Sequence, residues 1–128
     1  MKLLLVLLAV ALSSPGHAMT CIRDEAKIAE TSRQYGDQVH IEINRDEYAV
    51  DVTIRFPKSI EGKDYKSASL MRGDVDTLNF DFFMPVMANE YEGEMVVWYV
   101  VNESLVGDTV IELSYSRSCG PVIRYPVT

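Results

Sequence analysis

The chain has 128 residues, 48% of them apolar, and its 12 basic and 19 acidic residues give a formal net charge of −7 at pH 7. This balance argues against a nucleic-acid-binding protein, which needs a basic patch, and against adhesion to an anionic membrane surface. A basic protein partner, a bound cation or simple solubility are each compatible with it.

The first 18 residues have the pattern of a secretory signal peptide. Lys2 precedes an uncharged apolar run at 3–12, and Gly16 and Ala18 are small residues at the positions that signal peptidase reads. The run is too short to cross a bilayer, which needs about 20 apolar residues. We therefore predict cleavage after Ala18, export to a periplasm or the extracellular space, and one mature domain at 19–128. The 12 basic residues less Lys2 are 11, against 19 acidic ones, so the mature chain carries a formal charge of −8.

The rest of the chain reads mainly as short strands in which apolar and polar residues alternate. Only 21–36 favours a helix, a turn or two long, with an N-terminal strand as the alternative. In the clearest strand, YAVDVTIRFP, the valines, Ile54 and Phe56 are predicted to face inward. The seven predicted strands lie at 38–44, 48–57, 66–73, 76–86, 95–102, 108–116 and 121–127.

This series of strands predicts the fold class. Short strands with turn-rich spacers and no βαβ alternation are typical of an all-β sandwich or barrel. We expect a single-domain, immunoglobulin-like β-sandwich of about seven antiparallel strands. Antibody-type homology has no support, because Cys21 and Cys119 are spaced differently from the pair that joins two strands around a tryptophan in antibody domains.

Cys21 and Cys119 lie near the two ends of the mature chain. In an oxidising compartment the default expectation is one disulfide between them. On a chain-entropy estimate, a bridge that closes nearly the whole domain stabilises it by roughly 4–5 kcal/mol. A metal site would need more soft ligands, since His40 is the one histidine left after cleavage, and neither cysteine lies in a catalytic motif.

The strand at 95–102, MVVWYVVN, departs from alternation because both of its faces are apolar. Periodicity alone cannot say which face is inside. The remaining face would be covered by a loop or strand of the same chain, or by a partner protein. The first reading is the commoner one, because strands that are apolar on both faces are usually buried. The two sets are Met95, Val97, Tyr99 and Val101 on one side, and Val96, Trp98 and Val100 on the other.

A candidate partner-binding surface surrounds this strand. The spacer NEYEGE at 89–94 carries three carboxylates and a tyrosine on a predicted turn, where they could dock into a basic groove. Phe83 falls on what should be the outward face of 76–86, and if that strand forms a hairpin with 95–102, Phe83 and Trp98 share an outer surface. The alternative is a solvated acidic tip beside a strand that the chain covers. The predicted partner-binding residues are Phe83, Glu90, Tyr91, Glu92, Glu94 and Trp98.

The sequence shows no catalytic constellation. It has no G-x-S-x-G elbow, no metal-binding histidine pair and no glycine-rich phosphate loop. A Ser-His-Asp triad would have to use His40, which falls on an alternating strand, where a solvated histidine is the better interpretation. We therefore expect a protein without enzymatic activity, cofactor or metal.

The leading hypothesis is an exported, non-enzymatic β-sandwich that binds another protein. An inhibitor or immunity-type protein for a basic exported enzyme fits the acidic charge, because complementary charge raises the association rate. One alternative is an accessory or assembly subunit of a cell-envelope complex that self-associates through its outer face. The other is a carrier that holds a small ligand or ion between its sheets.

Overall fold

A computed structural model describes residues 23–75, 79–117 and 120–127. The predicted signal peptide and the predicted disulfide between Cys21 and Cys119 lie outside the described residues, as does the side chain of Phe82. Within the described ranges, no helix has the length and apolar character needed to span a membrane.

The described chain is all-β apart from one helix, as predicted. Each of the seven predicted strands is present, and three more strands of two or three residues, β3, β4 and β7, are too short for alternation to reveal. The helix is α1 (Glu25–Tyr35), and 3-10 turns lie at Gly36–Gln38 and Glu103–Leu105. The strands are β1 (His40–Arg45), β2 (Val50–Pro57), β3 (Ser59–Ile60), β4 (Lys63–Asp64), β5 (Ser67–Asp74), β6 (Asn79–Val86), β7 (Asn89–Tyr91), β8 (Glu94–Val101), β9 (Thr109–Ser114) and β10 (Val122–Pro126).

Two four-stranded antiparallel sheets share one core, which is the arrangement of a β-sandwich. Sheet 1 has the strand order β1-β2-β8-β7 and sheet 2 has the order β10-β9-β5-β6, while β3 and β4 pair with each other. The core takes residues from both sheets, including Val50, Val52, Ile54, Phe56, Met95 and Val97 from sheet 1 and Ala68, Leu70, Ile111, Leu113 and Ile123 from sheet 2.

The alternation of β2 decides which face of β8 is inside. Val52 and Ile54 are buried, as predicted, and they lie opposite Tyr99 and Val97 of β8. Residues directly opposite each other in a sheet point to the same face. The inward set of β8 is therefore the one that contains Val97, and Trp98 lies on the outer face of sheet 1.

Helix α1 is longer than the predicted turn or two and packs against β10, the edge strand of sheet 2. Its N-cap is Asp24, whose carboxylate accepts hydrogen bonds from the N–H groups of Ala26 and Lys27 at 3.1 and 3.2 Å. Ile28 is buried, and the Ser32 hydroxyl accepts the backbone N–H of Arg124 at 2.9 Å. These contacts join the helix to the last strand of the sheet.

The predicted hairpin between the strands that carry Phe83 and Trp98 is wrong. β6 pairs with β5 in sheet 2, whereas β8 pairs with β2 and β7 in sheet 1. Phe83 lies opposite Met71, and Leu70 beside Met71 faces the core, so Phe83 points to the outer face of sheet 2. Phe83 and Trp98 therefore occupy outer faces of different sheets. Periodicity identified Phe83 as an outward residue but did not show which strand β6 pairs with.

Candidate functional site

The exposed apolar side chains of the described residues concentrate on one side of the sandwich. All but one belong to β6, β7, β8 or the segments that join and follow these strands, and we call this region the β6–β8 side. The exception is Tyr48, in the turn between β1 and β2, which is 84% exposed. The exposed large apolar residues on the β6–β8 side are Phe83, Met84, Met87, Tyr91, Trp98, Val100 and Leu105.

Trp98 is the most prominent feature of the outer face of sheet 1. It is 64% exposed and lies opposite Thr53, while Val100 lies opposite Asp51 and is also exposed. The half-buried Val96 continues the same row of side chains. We call Val96, Trp98 and Val100 the Trp98 stripe. The described residues thus place a three-residue apolar stripe beside polar neighbours from β2.

The acidic turn between β7 and β8 divides the predicted carboxylates into two groups. Glu92 and Gly93 have φ angles of 51° and 82°, the two positive values that a type I′ hairpin turn needs, and glycine adopts such a conformation without strain. Tyr91 lies opposite Glu94, and alternation along β8 puts both on the face of the Trp98 stripe. Glu90 lies opposite an inward residue and forms an ion pair with Lys58 at 3.0 Å. Only part of the predicted acidic set therefore shares a face with Trp98.

Phe83 is 63% exposed on the other outer face of the sandwich. Its neighbours across sheet 2 are Met71 and, one strand further, Val110, which are both buried. A partner that covered only the outer face of sheet 1 would not contact Phe83. The structure does not place this predicted residue on one face with the others.

An apolar slot opens between the two sheets on the β6–β8 side, and sequence reasoning did not identify it. Its volume is about 340 Å³. Burial raises the pKa of the Tyr99 phenol, which lines it, to about 12. Tyr99 alternates with Trp98 near the end of its predicted strand, and this was the sequence feature that could have indicated the slot. The sequence did not show which strand of the other sheet faces Tyr99. The residues that form most of its wall are Leu70, Met71, Met84, Tyr99, Val101 and Leu105.

A polar hollow of about 330 Å³ lies near the β5–β6 bulge. Arg72 donates from Nε to Asp81 Oδ1 at 3.1 Å, and this hydrogen bond lowers the pKa of the Asp81 carboxyl. In the described part of the chain, no group of three or more His, Cys, Asp or Glu side chains is arranged to hold a metal ion. His40 is exposed and lies opposite Arg55. The expectation of a non-enzymatic protein stays a prediction.

Comparison with protein-family models, with curated proteins and with solved structures finds no match for this chain. The function is therefore inferred from the sequence and from the surfaces of the described residues. That side combines the exposed Trp98 stripe, the acidic turn with Tyr91, and the apolar slot.

Proposed function

We propose that this chain is an exported, non-enzymatic, immunoglobulin-like sandwich that binds another protein through the outer face of sheet 1. The observation that carries the proposal is the exposed Trp98 stripe, which shares the outer face of sheet 1 with the exposed Tyr91. Soluble monomers rarely expose large contiguous apolar patches. Tryptophan and tyrosine dominate the energetics of protein interfaces, and Trp98 and Tyr91 share one face here.

The order of the strands supports the immunoglobulin-like part of the proposal. Immunoglobulin domains pair strands ABED in one sheet and GFC in the other, and variable-type domains add C′ to the second sheet. The eight strands other than β3 and β4 can be named A, B, C, C′, D, E, F and G in chain order. With these names, sheet 1 has the order ABED and sheet 2 has the order GFCC′.

Charge supports a basic partner. Glu92 and Glu94 lie at the end of the face that carries Trp98, and the whole chain has a formal net charge of −7. Complementary charge across an interface steers encounter and raises the association rate. An inhibitor or immunity-type role against a basic exported enzyme fits this surface. Export itself is supported by the signal-peptide pattern of the first 18 residues.

The experiment compares Trp98→Ala with a matched control, Tyr48→Ala. Tyr48 is even more exposed but lies away from the β6–β8 side. The mature chain is immobilised, its partner is captured from an extracellular or periplasmic extract, and the affinity of each folded variant is measured. We expect Trp98→Ala to weaken binding about 30-fold, the equivalent of about 2 kcal/mol, and Tyr48→Ala to have little effect. Equal losses in the two variants would contradict the proposed face.

The contribution of the acidic turn is tested in the same way. The double variant Glu92→Gln, Glu94→Gln is expected to lower the association rate and flatten its salt dependence. Its control is the double variant Glu30→Gln, Glu47→Gln, which removes the same charge from exposed positions on α1 and in the turn between β1 and β2. If the control slows association as much, net charge rather than the turn attracts the partner.

The assembly-subunit alternative uses the same side but a second copy of the chain. It predicts that sedimentation velocity shows a dimer or larger species at micromolar concentration and that Trp98→Ala dissociates it. A monomer at all concentrations removes this alternative.

A further inference from the structure

Most of β8 presents an open backbone edge. β7 pairs with β8 only over Glu94–Val96, and no described residue pairs with Val97–Val101 on that side. The two-residue turn makes the closing pair of the hairpin a hydrogen-bonded pair, and hydrogen-bonded and non-hydrogen-bonded pairs alternate along antiparallel strands. The backbone N–H and C=O groups of Trp98 and Val100 therefore point toward the open side.

The other sheet edges carry features that discourage pairing with a further strand. Natural edge strands are protected by charged residues, prolines, bulges or covering elements. β1 is rich in charged side chains, and β6 contains Pro85 and a bulge at Asp81. β10 contains Arg124 and Pro126 and is packed by α1. The open segment Val97–Val101 has neither a charge nor a proline.

The apolar slot lies directly beside this open edge. Tyr99 and Val101 of β8 form one wall, and Leu70 and Met84 of sheet 2 form the other. A strand added to β8 would point alternate side chains inward into the slot and the others outward beside Trp98. The open edge can thus pair with the backbone of one extended polypeptide, and the slot can hold the inward side chains of the same polypeptide.

We propose that β8 accepts an extended segment of the partner, antiparallel to β8 and with apolar residues at alternate positions that enter the slot. This inference rests on the proposed function and specifies how the partner is recognised. In strand addition, main-chain hydrogen bonds give affinity and pockets for alternate side chains give specificity. Both existing neighbours of β8 are antiparallel. A second copy of this chain fits less well, because each mature copy has a formal net charge of −8 and the two copies would repel each other.

The test uses an acetylated seven-residue peptide, two lysines followed by valine-threonine-valine-threonine-valine amide. Three valines face the slot in the proposed register, and the two threonines lie opposite Trp98 and Val100. Hydrogen exchange of the full mature chain is followed residue by residue. Without peptide, the amides of Trp98 and Val100 should exchange much faster than those of Val97 and Tyr99, which bond to β2. With peptide, the exchange rates of the Trp98 and Val100 amides should fall by about tenfold or more.

Two N-methylated peptides form the matched controls. Methylation of the threonine nitrogens removes the N–H groups that would donate to β8, so protection should be lost. Methylation of the valine nitrogens leaves those donors intact, so protection should remain. Leu105→Glu, which places a charge in the slot, should weaken binding of the peptide, whereas Tyr48→Glu should not. Equal behaviour of the two methylated peptides, or no protection at Trp98 and Val100, would overturn the proposal.

Two further outcomes separate this inference from the proposed function. If Trp98→Ala weakens partner binding as expected but the peptide protects neither amide, the open-edge proposal fails and the proposed face stands. If the peptide binds as described but Trp98→Ala does not change the affinity for the partner, the proposed face is wrong and β8 remains a strand acceptor. Protection of Trp98 and Val100 without peptide, together with a dimer in sedimentation, would make a second copy the occupant and overturn the proposal.

Discussion

Substitution of Glu112 tests how α1 is fixed to sheet 2. The Glu112 carboxylate is 10% exposed and accepts hydrogen bonds from Arg124 Nε at 2.8 Å and from Arg23 Nη2 at 2.5 Å. The Arg124 side chain is only 6% exposed and also pairs with Glu25 at the start of the helix. The four side chains form a neutral network that joins the first turn of α1 to β9 and β10.

Glu112→Gln keeps the size of the side chain and removes its charge. Loss of one partner from a buried ion pair costs about 3–5 kcal/mol, because the other charge stays buried without compensation. Arg124 retains Glu25, and glutamine can still accept one hydrogen bond, so we expect the free energy of unfolding to fall by about 2–3 kcal/mol. The double variant Glu112→Leu, Arg124→Met should be less destabilised than Glu112→Gln, because no buried charge is left unpaired.

Urea unfolding at neutral pH measures these differences, and Glu103→Gln is the control. Glu103 is 62% exposed and pairs with Arg45 Nε at 3.0 Å, and an exposed pair of this kind contributes less than about 1 kcal/mol. If Glu112→Gln and Glu103→Gln lower the free energy of unfolding equally, burial does not determine the cost and the reasoning is refuted.

Three other predictions concern local structure. Asp24→Ala removes the N-cap of α1 and should lower the free energy of unfolding by about 1 kcal/mol in urea, whereas Asp24→Ser should restore most of the loss. Gly73→Ala should destabilise by about 2 kcal/mol or more, because Gly73 has a φ of 153° and an added Cβ would lie 2.1 Å from the carbonyl oxygen of Asn79; an unchanged melting temperature would contradict this. Burial raises the pKa of Tyr99 from 10.0 to about 12, so the unfolded chain ionises first, and the stability present below pH 10 is lost as the pH rises toward 12. Tyr99→Phe should therefore lose less stability than the parent chain between about pH 8 and about pH 11. The difference should be about 1 kcal/mol, because one pKa unit is worth about 1.4 kcal/mol, only about one unit is crossed by pH 11, and Tyr99 is partly exposed.

The strands were predictable because one face of each strand meets the core. Val50, Val52, Ile54 and Phe56 form a strict period of two, and all four are buried. The three-residue β7 was not predictable, because its residues are all exposed and carry no apolar alternation. The full length of α1 was underestimated, although an N-cap aspartate followed by a polar, helix-favouring segment is a recognised start signal.

The site was harder to predict than the strands. Alternation separates the two faces of β8, but only pairing with β2 shows that Trp98 is outside. The position of Phe83 depends on long-range pairing with β5, which local periodicity does not encode. The slot is formed by residues from both sheets and the turn that carries Leu105, so it exists only once the sheets have packed.

Trp98 has one consequence for spectroscopy. It is the single tryptophan in the sequence, and its indole is largely in water on the proposed binding face. All indole emission of the protein therefore comes from this one position. A partner that covers Trp98 would shift that emission toward the blue, so stopped-flow fluorescence could follow association in real time without an attached dye, provided that the partner's own tryptophans are subtracted.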